Sequence, residues 1–175
     1  CISSQVGCAL RCAFCATGAV GLRRNLSADE IVDQVLEVRR HAGGTAPDTV
    51  AFMGMGEPLQ NPRVFDALHL LTDAAHCGLS PRRISVSTVG VVPAMRRLTR
   101  DFPQVNLAVS VHSPFDAQRD HLVPANRTYP LRDVLAAAEE HARRTRRKVF
   151  LAYLVLPGHN DSGEHAAALA AAVHR

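Results

Sequence analysis

Residues 148–156 read Lys-Val-Phe-Leu-Ala-Tyr-Leu-Val-Leu, a nearly continuous apolar run. Parallel strands that are buried on both faces have this pattern, whereas strands with one solvated face alternate apolar and polar residues. We therefore predict a buried parallel strand at 148–156, and this strand makes a parallel sheet the first expectation for the chain.

Upstream of this run, short β-like segments alternate with amphipathic helical segments. Ser27 and Glu30 form a capping box, ahead of a helix that ends at Gly43-Gly44. Further strands are predicted at 49–54, 83–88 and 105–111, with further helices at 62–76, 92–100, 131–144 and 164–173. Strands separated by helices form βαβ units, and right-handed crossovers curl such units into a barrel or partial barrel. We predict an α/β fold, a partial barrel of parallel strands.

Four unusual segments fall at the predicted carboxyl ends of strands, where parallel sheets carry their chemistry. They are a cysteine loop after residues 1–6, Gly54-Met55-Gly56-Glu57-Pro58, Ser87-Thr88-Val89-Gly90 and Ser110-Val111-His112. Taken singly, the Gly-Glu-Pro segment is a turn, Ser87 a polar strand end and His112 a structural histidine. Their convergence on one edge predicts a ligand site there.

Length and composition fit one globular domain. The chain has 175 residues, of which 47% are hydrophobic and 21% charged, with a formal net charge of +4. No apolar run approaches the ~20 residues that a membrane span needs, and no secretory signal is visible. The sequence begins at Cys1. We expect a segment of a longer cytoplasmic protein that does not contact a membrane.

Cys8, Cys12 and Cys15 place three thiols within eight residues, in the spacing Cys-x-x-x-Cys-x-x-Cys. Such crowding is a poor disulfide framework and indicates metal or redox chemistry. Three thiolates on a four-iron cube leave one iron free, and that iron can chelate the amino and carboxylate groups of S-adenosylmethionine. We predict a [4Fe–4S] cluster that binds S-adenosylmethionine. A zinc site would need a fourth ligand, and inert structural cysteines are the remaining alternative.

Longer motifs around these cysteines resemble a known family. The spacing Cys-x-x-x-Cys-x-x-Cys, with Phe14 directly before the last cysteine, resembles the cysteine motif of the radical S-adenosylmethionine superfamily. Cys-Ile-Ser-Ser-Gln-Val-Gly-Cys at 1–8 and Phe-Met-Gly-Met-Gly-Glu-Pro at 52–58 resemble RNA-adenine methyltransferases of the RlmN and Cfr type. Stretches at 15–26, 80–83, 103–107, 147–153 and 156–162 are closer to the Cfr type.

The resemblance implies a (βα)6 radical barrel in which residues 1–175 are the core domain. The last strand, the C-terminal tail and an N-terminal accessory domain would lie outside these residues. The Cfr type implies methylation of C8 of an adenine in 23S rRNA, at the peptidyl transferase centre. The alternatives are methylation of C2 by the RlmN type, another radical enzyme of the superfamily, and a non-catalytic iron–sulfur or RNA-binding relative.

The resemblance also implies roles for individual residues. Cys8, Cys12 and Cys15 would ligate the cluster. The cofactor would be bound by Phe14, Gly56, Glu57, Ser87, Ser110 and His112, with the Glu57 carboxylate accepting from the ammonium group.

Cys1 occupies the position of a catalytic cysteine of the family. In the implied mechanism, a 5′-deoxyadenosyl radical removes hydrogen from a methylated cysteine, and the carbon radical adds to the adenine. The cysteine that matches Cys1 then forms a disulfide that releases the RNA. No residue here matches the methyl-carrying cysteine, and we interpret Cys77 as a small buried hydrophobe. We therefore expect a cofactor-binding core that does not complete turnover alone.

The implied partners are 23S rRNA, tRNA as well for the RlmN type, and a reducing partner such as flavodoxin. We expect a monomer. Arginine pairs could contact RNA phosphates, at 23–24, 82–83, 96–97, 143–144 and 146–147. Arg23-Arg24 are the best candidates because they follow the cysteine loop, whereas 143–147 fit a solvated helix end.

Overall fold

A computed structural model describes residues 1–173. The strands, in chain order, are β1 (Gln5–Val6), β2 (Arg24–Asn25), β3 (Val50–Phe52), β4 (Ile84–Thr88), β5 (Asn106–Ser110) and β6 (Phe150–Ala152). The α-helices are α1 (Ala16–Val20), α2 (Ala28–His41), α3 (Arg63–Thr72), α4 (Val92–Asp101), α5 (Asp116–Leu122), α6 (Leu131–Thr145) and α7 (Gly163–Val173). Short 3₁₀ turns occupy Pro58–Gln60, Pro81–Arg83 and Pro124–Arg127.

The central sheet is parallel and has the order β3-β4-β5-β6. Its register pairs Val86 with Leu107, and Val109 with Leu151. Each crossover between neighbouring strands contains at least one helix, as parallel connections require. The predicted α/β fold with a partial barrel of parallel strands is confirmed.

The chain before the cysteine loop extends this sheet by one bridge only. Ile2 forms an isolated parallel bridge with Phe52, and the Ile2 amide donates to the Ala51 carbonyl over 2.9 Å. The chain then turns into β1, which pairs antiparallel with β2. The two strands of this small sheet flank the cysteine loop, so the loop starts and ends at one place.

The two faces of the parallel sheet differ in side-chain size. The face toward the helices contributes Val50, Phe52, Ile84, Val86, Leu107 and Val109 to the core, against buried residues of α2, α3, α4 and α6. Because side chains alternate along a strand, the opposite face carries small residues at Ala51, Ser85, Ser87, Ala108 and Ser110. Small side chains on this face leave room beside the sheet for a ligand.

The apolar run at 148–156 forms a much shorter strand than predicted. β6 spans Phe150–Ala152, with Phe150 58% and Val155 59% exposed. Within the described residues β6 pairs with β5 alone. The prediction of a strand buried on both faces was therefore wrong for this part of the chain, because the described residues do not cover both faces of this edge strand with packed side chains.

The helices follow the predicted pattern, with two additions. The Ser27 capping box is present, since Ser27 Oγ accepts from the Glu30 amide over 3.2 Å and the Glu30 carboxylate accepts from the Ser27 amide over 2.9 Å. The short helices α1 and α5 were not predicted. Over residues 1–173, no helix has the length and apolarity that crossing a membrane would demand.

Candidate functional site

The cysteine loop closes on itself at a glycine pair. The Cys8 amide donates to the Gly21 carbonyl over 3.2 Å. A Cβ on Gly7, whose φ is +82°, would lie 1.8 Å from the same carbonyl oxygen. Only glycine permits that backbone conformation and that approach together. Gly7 and Gly21 therefore form a neck, and the three cysteines lie in the loop that it closes.

The three thiols share one electrostatic environment. Cys8 is buried, whereas Cys12 and Cys15 are half-buried, and the Cys15 amide donates to the Cys12 carbonyl over 3.0 Å. Burial, assisted by the nearby charges of Cys8, Cys15 and Glu57, raises the pKa of Cys12 to about 12. Burial likewise raises the pKa of Cys8. Three thiolates would repel one another here, so the donor set suits a cation that compensates their charge.

A cube fits this donor set better than a single ion. In residues 1–173, no group of three or more His, Cys, Asp or Glu side chains converges closely enough to hold one metal ion. A [4Fe–4S] cube presents a separate iron to each thiolate, so its ligands do not need to meet at one point. The soft thiol donors and their spread around the loop are compatible with such a cluster.

Two contacts attach the cysteine loop to α5 and to the residue that follows β5. The Ala13 amide donates to the carbonyl of Leu122, the last residue of α5, over 3.0 Å. The Phe14 ring packs edge-on against the imidazole of His112, with centroids 4.6 Å apart. Both contacts lie between Cys12 and Cys15, so the ligand-bearing part of the loop faces the carboxyl end of β5.

His112 is held in one orientation just after β5. Its φ of 59° lies in the left-handed region, which is uncommon for a side-chain-bearing residue. Its Nδ1 accepts from the Leu154 amide over 3.0 Å, so the ring proton must reside on Nε2. Burial, assisted by the charge of Arg119, lowers the pKa of His112 to about 4. His112 is therefore a neutral donor through Nε2 at neutral pH.

The Gly56-Glu57 turn is joined to the chain that enters the cysteine loop. A Cβ on Gly56, whose φ is +99°, would lie 2.6 Å from the Cβ of Gln5. The Glu57 amide donates to Gln5 Oε1 over 2.9 Å. This turn is therefore held against the strand that leads into the cysteine loop.

The Glu57 carboxylate is buried and bridges two strand ends. Oε1 accepts from the Leu59 amide over 3.1 Å and Oε2 from the Val89 amide over 3.0 Å. Burial raises the pKa of Glu57 to about 7, although hydrogen bonds from Thr88, Val89 and Leu59 oppose that effect. Each oxygen thus already accepts from a backbone amide, and the expected contact with a cofactor ammonium stays a prediction.

Ser87 and Ser110 lie on the small-residue face of the sheet, near the ends of β4 and β5. Both are half-buried. Their strands are neighbours in the sheet, where Ser87 is the register partner of Ala108, two residues before Ser110. Gly56, Glu57 and His112 follow the carboxyl ends of strands in the same sheet, and Phe14 contacts His112. The contact of all six residues with a cofactor stays a prediction.

The remaining two cysteines lie elsewhere. Cys1 is exposed in a shallow hollow against α2, which Gln34, Val38 and His41 also line. Its role as a catalytic cysteine stays a prediction. Cys77 is half-buried and packs against the core, as a small hydrophobe would.

Two buried polar residues at the site were not singled out from the sequence. The Arg119 guanidinium donates to the carbonyls of Val89, Ser110 and Val111 over 2.6–3.0 Å. Asn160 Nδ2 donates to the His112 carbonyl over 2.7 Å and to the Leu154 carbonyl over 2.8 Å. Arg119 lies in a polar segment without a motif, and Asn160 lies in a Gly- and Pro-containing loop, so local sequence gave no signal of burial.

The arginine pairs differ in how far acidic residues neutralise them. Arg24 binds both oxygens of Glu30, over 2.7 and 2.8 Å. Ion pairs also engage Arg96, Arg97 and Arg144. Arg23 is exposed and has no ion pair within residues 1–173, so it is the freer of the two arginines that follow the cysteine loop.

The fold and the cysteine loop together define a class, that of parallel α/β barrels with a cysteine-rich loop at the carboxyl edge. Residues 2–170 match the sequence profile described as the Radical SAM superfamily. The chain belongs to this superfamily, whose members in general use a 4Fe–4S cluster and S-adenosylmethionine.

Two curated proteins show which kind of radical SAM protein this chain is similar to. The chain is 54% identical over 169 residues to the ribosomal RNA large subunit methyltransferase Cfr of Lachnoclostridium phytofermentans, covering 97% of this chain and 48% of the relative. It is 54% identical over 166 residues to the protein of the same name from Bacillus velezensis, covering 95% of this chain and 47% of the relative. The chain thus spans about half the length of the curated relatives that it matches.

A solved structure agrees with the fold. A radical SAM methyltransferase from Sphaerobacter thermophilus superposes with a TM-score of 0.94 at 44% identity. The match covers 99% of this chain and 52% of that structure. The resemblance inferred from motifs to the superfamily and to Cfr-type proteins is therefore confirmed.

Proposed function

We propose that this chain is the cofactor-binding core of a radical methyltransferase of the Cfr type, which methylates C8 of an adenine in 23S rRNA. The observation that carries this proposal is the cysteine loop at the carboxyl edge of a parallel sheet, in a chain 54% identical to proteins named as large-subunit rRNA methyltransferases. The choice of C8 over C2 follows the Cfr resemblance.

In this proposal, Cys8, Cys12 and Cys15 hold a [4Fe–4S] cluster and S-adenosylmethionine occupies the small-residue face beside it. When bound, the reduced cluster and the sulfonium would supply a 5′-deoxyadenosyl radical. A low-potential electron donor such as flavodoxin would reduce the cluster. The protein would act as a monomer. An adenine carbon is electrophilic, so direct methyl transfer from a sulfonium is not available.

The chain's own side chains would bind and orient the cofactor. His112 offers its Nε2 proton to a ribose or carboxylate oxygen, because Nδ1 is occupied by the Leu154 amide. The hydroxyls of Ser87 and Ser110 offer further donors on the same face. Phe14 packs edge-on against the His112 ring and would help to hold the imidazole in its orientation.

The test is to express the complete reading frame that contains these residues in a host that lacks its own C2 methyltransferase. The rRNA adenine is then analysed by mass spectrometry. We expect 8-methyladenosine, and none when Cys8, Cys12 and Cys15 are each replaced by Ala. Detection of 2-methyladenosine would instead assign the protein the C2 activity of the RlmN type. An unmodified base would favour a non-catalytic relative.

We further propose that residues 1–175 supply the cofactor core but not the methyl-carrying cysteine, and that Cys1 resolves the RNA adduct. The chain with a reduced cluster, cofactor and rRNA should then yield no methylated adenine. In the complete protein, Cys1→Ala should accumulate an RNA–protein adduct that migrates slowly on a denaturing gel. Methylated product from residues 1–175, or normal turnover by the Cys1 variant, would contradict the respective half of this proposal.

A further inference from the structure

Arg119 is a charged side chain that the fold encloses completely. Its exposed fraction is 0%, and its pKa, lowered by burial to about 10, leaves the guanidinium charged at neutral pH. Four hydrogen bonds hold it, to the carbonyls of Val89, Ser110 and Val111 and to Asn126 Oδ1. Because most N–H groups of the guanidinium already donate to these acceptors, Arg119 is poorly placed to bind a cofactor directly.

The charge has no carboxylate in direct contact within the described part of the chain. Asp116 and Asp120 reach it through Asn126, whose Nδ2 donates to Asp116 Oδ1 over 2.9 Å and to Asp120 Oδ1 over 2.7 Å. Backbone carbonyls and the Asn126 side-chain amide therefore accept the hydrogen bonds that a buried arginine usually donates to a carboxylate. The field of the guanidinium is only partly compensated inside the protein.

The structure places this partly compensated charge next to the cysteine loop. Arg119 lies on α5, and the Leu122 carbonyl at the end of that helix accepts from the Ala13 amide, next to Cys12. Arg119 Nε donates to the Val111 carbonyl, and the following residue, His112, carries Phe14 of the loop on its imidazole. Arg119 thus shares a helix with one attachment point of the loop and binds the residue next to the other.

We propose that Arg119 is a positioning residue whose fixed positive charge favours the reduced state of the cluster held by Cys8, Cys12 and Cys15. This inference rests on the cofactor part of the proposed function. One electron from an external low-potential donor enters the cluster, and no bond forms or breaks. The reduced site carries one more negative charge than the oxidised site, so a nearby buried cation stabilises it and raises its reduction potential.

The experiment is a dithionite titration of the complete protein that contains this chain, with the reduced cluster followed by EPR. Arg119→Met should lower the one-electron equilibrium constant about tenfold, which is about 59 mV toward more negative potential. Arg119→Lys keeps the charge and should stay close to the parent protein. The matched control is Arg147→Met, since Arg147 binds Asn106 at the amino end of β5, about 13 Å along the strand from Ser110.

A structural role alone would give a different result. Arg119→Met and Arg119→Lys would then lose cluster or stability together, while the potential of the remaining cluster stayed unchanged. An unchanged potential in Arg119→Met, or an equal shift in Arg147→Met, would overturn the proposal.

A second variant decides the question if Arg119→Met does not fold. Asp120→Asn removes a half-buried negative charge but keeps an oxygen for Asn126, so the potential should move to a less negative value. No movement would overturn the proposal. Failure of the parent protein to take up iron would count against the proposed function, whereas a cluster indifferent to both variants would count against this inference alone.

Discussion

The imidazole of His112 meets the ring of Phe14 edge-on, with centroids 4.6 Å and planes 74° apart. Phe14 lies between Cys12 and Cys15, whereas His112 follows β5. One aromatic contact thus links the loop that carries the thiols to the strand end that carries the expected cofactor residues. This contact supplements the backbone bond from Ala13 to Leu122 in holding the loop beside the carboxyl end of β5.

Replacing Phe14 with Ala should release the loop from the sheet. We expect the free energy of unfolding to fall by about 1–2 kcal/mol, because an aromatic pair and half-buried apolar area are lost. The iron content after reconstitution should fall as well, as measured by a colorimetric iron assay on the purified protein.

Phe115→Ala is the matched control, because Phe115 packs on His165 with centroids 5.0 Å apart, in the same edge-on geometry. It should lower stability by a similar amount but keep the full iron content. Full iron in the Phe14 variant would show that this contact does not organise the cluster site.

Glu57 should make the stability of the apo protein fall as pH rises from about 4.5 to about 7. Its pKa in the fold is about 7, above the ordinary 4.5, because of burial. Between these values the folded state binds more protons than the unfolded state, so raising the pH favours unfolding, by about 3 kcal/mol over the window. Urea unfolding at several pH values measures this slope.

Glu57→Gln separates this slope from other titrating groups. The variant should lose about 1–2 kcal/mol at low pH, because an amide nitrogen cannot accept from the Leu59 or Val89 amide. Its deficit should shrink toward pH 7, where the parent protein must ionise a buried carboxyl. Parallel curves for the two proteins would refute the raised pKa.

Asn160 should be among the most sensitive positions of the loop after β6. Asn160→Ala removes two bonds from Nδ2 and one bond from the Leu156 amide to Oδ1, at 2.6 Å. We expect a loss of about 2–4 kcal/mol in urea unfolding, since buried partners stay unpaired. Asp161→Ala, which removes one exposed bond to the Gly158 amide, should cost under about 1 kcal/mol. Equal losses in both variants would contradict this assignment.

Arg23 and Arg24 should differ in RNA binding, if the proposed rRNA substrate is correct. Arg23→Ala should weaken binding and reduce the slope of log K against log salt by about 0.7–0.9, the value of one phosphate contact. Arg24→Ala should change the slope less, because Glu30 already holds its guanidinium. Filter binding at several salt concentrations measures both, and equal slopes would refute the distinction.

Much of the fold could be predicted from local pattern. β4, β5, α4 and α6 lie within a residue or two of their predicted bounds, because their apolar periodicity and their burial agree. α5 was missed because its buried residue is Arg119, and a buried charge looks like a loop residue in a hydrophobicity pattern. The burial of residues 148–156 was overestimated because an apolar run does not show whether other elements cover both faces of the strand.

The candidate site, like the fold, could be predicted from the sequence only in part. The cysteine spacing and the Gly-Glu-Pro turn are local, so the sequence reveals them. Asn160, 48 residues along the chain from His112, donates to the His112 carbonyl. Arg119, 30 residues from Val89, donates to the Val89 carbonyl just after β4. Such pairings depend on the crossovers of the sheet, and no spacing rule within one segment encodes them.

The glycine neck makes the shape of the cysteine loop depend on backbone contacts. The Gly7–Gly21 contact and the Ala13–Leu122 bond consist of backbone alone, so neither needs a thiolate or a metal to form. If both form during folding, the conformational entropy of the loop is lost at that stage and not when the cluster is loaded. A carrier protein that delivers a finished cube would meet a receptacle of fixed shape, and cluster transfer would be a docking event instead of a coupled folding reaction.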